Sequence, residues 1–179
     1  PLDLSNANKF AQFYGCSMTF GEGVNSDETI PYQFGKLDST YHAYNFAFSG
    51  YGPAQMLARL QDGKVDSIVK EKVGFGVYTF IPDHVNRTIN TYTNYSYNHG
   101  NVPHFKLEDG VLIRDRTFAE SRMLRNFIFE QMAKSNVLKV FNIGYPFNIT
   151  SEDYDLTAAV LLESAKEFEQ QFQSKKFFI

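Results

Sequence analysis

The segment Lys9–Val24 carries an apolar stretch into Gly15-Cys16-Ser17 and runs at once into Met18-Thr19-Phe20-Gly21-Glu22-Gly23. A hydroxyl where a buried strand stops has two uses. It can attack an acyl carbonyl if a base takes its proton and fixed N–H donors hold the oxyanion. It can also cap a following helix. Ligands of open α/β sheets sit beyond the carboxyl ends of the strands, which is where Ser17 falls. Gly50, in Ser49-Gly50-Tyr51-Gly52 after a second aromatic run, can bring another N–H close because it has no Cβ. The plainer reading is that Gly50 only serves a turn.

The candidate bases are few: His42, His84, His99 and His104. Asp83 and His84 are chain neighbours whose side chains diverge, so they make a poor dyad. His84 nonetheless follows the third strand and is expected as a polar wall of the same site. His99 and His104 lack cysteine partners and helical spacing, so no metal is expected. Tyr92, Tyr95 and Tyr97 would suit a sugar-stacking face, although a chance aromatic loop explains them as well. Gly21-Glu22-Gly23 lacks the lysine and spacing of a phosphate loop. A mononucleotide binder would need such a cradle.

The elements that must position these groups follow from periodicity. Strands are expected over 9–15, 41–48 and 73–81, the last nearly all apolar, as in a strand buried on both faces. A loop is expected over 17–25. A helix should follow near Asp27, with Asp27 as its cap and Pro31 in its first turn. Another starts at Pro53, with Met56, Leu57 and Leu60 on one face and Gly63 at its end. Helix is expected to resume over 65–72. Alternating strands and helices imply β-α-β units in a mostly parallel sheet.

Residues 90–118 break that rhythm and read as an insertion containing a β-hairpin about Asp109-Gly110. A long amphipathic helix over 118–141 should bury Met123, Leu124, Phe127, Ile128 and Met132. A second, over 151–172, should be capped by Ser151 or Asp153. The closing Ser174–Ile179 looks like a strand just beginning. A single domain over 1–179 is therefore expected, incomplete at its C-terminus, with an exposed strand edge open to self-association.

The 179 residues and 43% apolar content suit one globular domain. A net charge of −3 without a basic block gives no nucleic-acid surface. No apolar run reaches the length of a membrane helix. Cys16 stands alone, so no internal disulfide forms. Three Asn-x-Ser/Thr triplets, at Asn86, Asn94 and Asn148, matter only in a eukaryotic secreted protein. Composition is compatible with a cytoplasmic and with an exported location.

Two blocks resemble the SGNH/GDSL hydrolases, in a bacterial form: Gly15-Cys16-Ser17-Met18-Thr19-Phe20-Gly21-Glu22-Gly23-Val24, and Asn45 through Gly52 followed by Gln55. The resemblance implies a three-layer α/β, flavodoxin-like fold and a serine esterase, O-acyl hydrolase or acyltransferase. It gives Ser17 the role of nucleophile and Gly50 that of oxyanion donor. No cofactor and no metal are implied, and the partner is a small acyl ester. The family's third block carries an oxyanion-binding Asn where this chain has Pro82. That donor would then come from a neighbour, His84 or Asn86, with Asp83 beside them. The family's Asp-x-x-His block has no counterpart in the final third, so the triad is incomplete within these residues. The alternative is a non-catalytic carbohydrate- or acyl-binding module on the same fold.

Overall fold

The computed structural model describes residues 4–140 and 148–179. The first strand, β1 (Lys9–Tyr14), shows why the sheet forms. Successive strand side chains point to opposite faces, and here both faces are covered. Phe10 and Tyr14 join Met56, Leu60, Tyr78, Phe168 and Phe172 in the main core. Phe13 points the other way, onto Phe34 at 5.5 Å between ring centroids. Gln12 is buried in the same strand, and its Oε1 accepts a hydrogen bond from the Tyr14 hydroxyl.

The chain continues through a one-turn helix α1 (Ser17–Phe20), a 3-10 turn at Ser26–Glu28, α2 (Ile30–Leu37), β2 (Tyr41–Asn45), α3 (Pro53–Gln61) and β3 (Gly74–Tyr78). Then come α4 (Asp83–Thr88), α5 (Tyr92–Asn98), β4 (Pro103–Glu108) and β5 (Val111–Thr117). Three helices, α6 (Phe118–Ser121), α7 (Met123–Lys134) and α8 (Asn136–Val140), precede the long α9 (Ser151–Phe172) and a short β6 (Phe177–Phe178).

The main sheet has the order β2-β1-β3-β6, and every pairing in it is parallel. Helix α2 covers one face through Phe34, which meets Tyr41 and Phe75 edge-on. Helices α3 and α9 cover the other face. This is the α/β architecture expected, with a parallel sheet between two helical layers. The hairpin β4–β5 stands apart as a two-stranded antiparallel sheet. Its turn places Asp109 and Gly110 at φ 52° and 77°, the left-handed pair that matches strand twist. Phe105 of β4 anchors it against Ala54, Leu57 and Ala58 of α3 and Val160 of α9.

Several local expectations are corrected. Strands β2 and β3 are shorter than read, and β3 alternates buried and half-buried residues instead of being buried throughout. Residues 17–20 are helical, not loop. Thr29, not Asp27, caps α2, accepting from Tyr32 N–H at 3.4 Å. Thr150 caps α9, while Asp153 sits three residues on and answers the Thr150 N–H at 2.9 Å. The segment after Gly63 is a run of turns, because Val65 plunges into the core while Ile68 stays exposed.

The long helix over 118–141 is the largest correction; its last residue lies outside the described residues. It breaks at Arg122, which leaves helical geometry at φ −123° and ψ 48°. Thr117 starts α6 with a capping box to Glu120, and the break resets the helical phase. Phe129 then faces inward onto Tyr92, Tyr95 and Phe118, while Met123, Leu124, Phe127 and Ile128 are exposed. Of the five residues expected inside, Met132 alone packs against that cluster.

Candidate functional site

In the order β2-β1-β3-β6 the chain leaves β1 toward β2 on one side and then returns to β3 on the other. The connections diverge between β1 and β3, and at such a point the carboxyl ends of the strands open a crevice. The loops after β1, β2 and β3 meet there. Thr79 N–H donates to Tyr14 carbonyl at 3.0 Å, and Phe46 N–H to Phe13 carbonyl at 2.8 Å.

Ser17 is carried into this end by a sharp strand-to-helix turn. Gly15 has φ +150°, and a Cβ on it would stand 2.5 Å from Thr19 Oγ1, so a larger residue does not fit. Buried Cys16 is the N-cap of α1 in extended geometry, without a side-chain cap. Ser17 is therefore the first helical residue and does not act as the cap. Its carbonyl receives the N–H groups of Gly21 and Glu22, each at 2.9 Å. Its half-buried side chain has no hydrogen-bond partner among the described residues.

Gly50 lies after β2, at the same end of the adjacent strand. It is exposed at φ +78°, and a Cβ there would meet nothing within 4 Å. Glycine is needed for the left-handed turn, not for a close approach of backbone, which corrects the steric reason expected for it. Two side chains that sequence reasoning missed hold this loop. Glu22 accepts from Ser49 Oγ at 2.6 Å, tying the loop to the end of α1. Arg87 donates to Tyr51 carbonyl and to Asp83 Oδ2, both at 2.8 Å, tying it to α4. The i,i+4 spacing of Asp83 and Arg87 was the one available signal.

Of the expected wall, none of His84, Asn86 and Asp83 hydrogen-bonds to Ser17 among the described residues. Asn86 donates to Asp83 Oδ1 at 3.2 Å, and Asp83 is already paired with Arg87. His84 has no exposed surface. Its Nδ1 lies 2.8 Å from the Tyr78 hydroxyl, and its Nε2 has no partner. Burial, reinforced by the Arg87 guanidinium and partly opposed by Asp83, pushes its pKa down to about 4. Helix α4 starts right after β3 and packs this ring against Tyr78 and Phe80. A neutral, enclosed imidazole is a packing element.

None of the other imidazoles hydrogen-bonds to Ser17 among the described residues. His42 faces Glu71 at 3.1 Å and stands level with Phe10, toward the opposite end of β1. His104 is buried, its Nε2 accepting from Arg122 Nε at 3.2 Å. Burial and then the Arg122 charge bring its pKa down to about 4. His99 ends α5 in left-handed geometry at φ 51°. Tyr92 and Tyr95 are core residues, so with Tyr97 they form no sugar-stacking face. Among the described residues there is no group of His, Cys, Asp and Glu that could hold a metal ion, and no helix long and apolar enough to cross a membrane.

A cleft of about 450 Å³ opens between the Gly50 loop, α3 and the hairpin. Phe48, Gly50, Tyr51, Arg59 and Arg114 line it, and Ser17 does not.

No family model and no curated protein matches the chain. Two solved structures resemble it: AlinE4, described as a SGNH-hydrolase family esterase, at 12% identity, and a mutant of the same esterase at 15%. Each match covers 95% of this chain and 75% of the other, with a TM-score of 0.37. A likeness at that level assigns no role to any residue here.

Proposed function

We propose that the chain is an acyl-ester hydrolase domain of SGNH/GDSL type with Ser17 as nucleophile. One observation carries the reading. The unpartnered Ser17 hydroxyl begins a helix immediately after β1, at the point where the chain connections diverge. In the reaction Ser17 Oγ attacks the ester carbonyl carbon and forms a tetrahedral oxyanion. The alkoxide leaves with a proton, and water or another hydroxyl then takes the acyl group from Ser17. The backbone N–H groups of Ser17 and Gly50 are the proposed oxyanion donors, in keeping with Ser17 and Gly50 following adjacent strands.

The Ser17 proton needs an acceptor, and among the described residues no imidazole hydrogen-bonds to it. Turnover by these residues alone should be slow, since losing the base from a serine enzyme leaves only about 10³–10⁴-fold acceleration over water. The same observation favours a second reading, a non-catalytic binding module that uses the cleft beside Gly50.

The test treats the protein with p-nitrophenyl acetate, with and without added imidazole as an external base, and maps acetylation by mass spectrometry. Acetyl mass on Ser17, absent from Ser17→Ala, supports the hydrolase. No Ser17 acetylation under either condition rejects it and leaves the binding module.

A further inference from the structure

The cleft beside Gly50 has a chemistry of its own. Three cationic side chains line it, Arg59, Lys64 and Arg114, against a single carboxylate among the described lining residues, Asp62. Arg114 reaches from β5 and closes a fork on that carboxylate, Nη1 to Oδ1 at 2.6 Å and Nη2 to Oδ2 at 3.3 Å. The fork fastens the hairpin to the end of α3 and neutralises Asp62. Lys64 Nζ touches the same carboxylate at 3.3 Å. One negative charge therefore faces three positive ones, and the cleft is left net cationic.

Arg59 is held in place without being neutralised. Its Nη1 donates to Phe46 carbonyl at 3.0 Å, and its guanidinium lies 5.5 Å from the Phe46 ring centroid. Both partners are uncharged, so the full charge remains for a ligand. An oriented guanidinium and an exposed ammonium lining one cleft suit a carboxylate or sulfate group. At the mouth, Phe48 and Tyr51 form a ring pair at 5.2 Å, and Phe48 is half exposed. Such a surface takes the face of a flat or ring-shaped group. Asn101 and Gln55 also line the cleft, and the Asn101 amide and Gln55 Nε2 have no hydrogen-bond partner among the described residues; free amides suit ring hydroxyls.

We infer that this cleft binds an acidic saccharide, its ring against Phe48 and Tyr51 and its acid group between Arg59 and Lys64. The inference goes beyond the acyl-transfer reading and needs no chemistry at Ser17.

The test is calorimetric titration of the Ser17→Ala protein with trigalacturonate, its neutral counterpart galactotriose, and inorganic sulfate. Using Ser17→Ala separates this result from the acetylation experiment. Trigalacturonate should bind at least about tenfold more tightly than galactotriose, as expected for a charge-assisted contact. Its affinity should fall with added salt. Lys64→Gln, at an exposed position, and Arg59→Gln should each weaken it by about tenfold, and Arg59→Lys should restore part of the loss. Equal affinity for acidic and neutral trisaccharides, no binding of either, or indifference to both substitutions overturns the inference. Sulfate binding as tight as trigalacturonate overturns the saccharide assignment as well.

Discussion

Protonating His84 should unfold this protein more readily in mild acid. Two donors aim at His84 Nδ1, the Tyr78 hydroxyl at 2.8 Å and the Ile81 N–H at 3.4 Å, so the ring is held with Nδ1 as acceptor. A proton there would meet both, in a site with no exposed surface and with Arg87 nearby. The folded pKa falls from 6.5 to about 4, which corresponds to about 3 kcal/mol. The unfolded chain takes up the proton near pH 6.5 and the folded chain does not until about pH 4. Stability is thus unaffected by this group above about pH 7. It is lost progressively as the pH falls from about 6.5 to about 4, and levels off below both values.

Urea unfolding at a series of pH values between 7 and 4 measures the effect. Carboxylates and His104 also titrate in or near that range, so the informative quantity is the difference between the wild type and His84→Gln. Glutamine still offers Tyr78 an acceptor oxygen but does not titrate. The wild type should lose about 3 kcal/mol more than the variant across the range, or roughly 6–12 °C in Tm for a domain of this size. Parallel curves for the two proteins would refute the reasoning. The same physics bears on function: a ring that stays neutral to about pH 4 puts no limb near 6.5 in the pH profile of Ser17 acetylation.

Substitutions in α7 test the phase of that helix: Phe129→Ala should cost about 3–5 kcal/mol, whereas Phe127→Ser should stay within about 0.5 kcal/mol. Urea midpoints decide between them, and the opposite ranking would restore the face read from periodicity. Gly15→Ala forces a Cβ to within 2.5 Å of Thr19 Oγ1 at φ +150°. It should lower stability by about 1–3 kcal/mol and abolish Ser17 acetylation together; an unchanged denaturation midpoint would show that the turn relaxes freely.

The parallel sheet was legible because its determinants are local. Phe10, Gln12 and Tyr14 alternate with Ala11 and Phe13, β-rich runs recur between helical ones, and Asp109-Gly110 marks its hairpin without reference to anything distant. The end of β1 was legible for a similar reason, since Gly15-Cys16-Ser17 encodes its own turn. What periodicity could not supply was the identity of the neighbour. Helix α7 carries apolar residues on two faces, and only the arrival of Tyr92 and Tyr95 from α5 selects Phe129 over Phe127. His84 follows the strand it was expected to follow, yet α4 begins at Asp83 and rotates the ring toward Tyr78, where burial decides its charge. Arg87 and Glu22 hold the Gly50 loop through contacts 36 and 27 residues away along the chain. Backbone direction and turn geometry are set by near neighbours and can be read from a sequence. Partners and protonation depend on which distant groups share a desolvated volume, and that is settled only when the layers close.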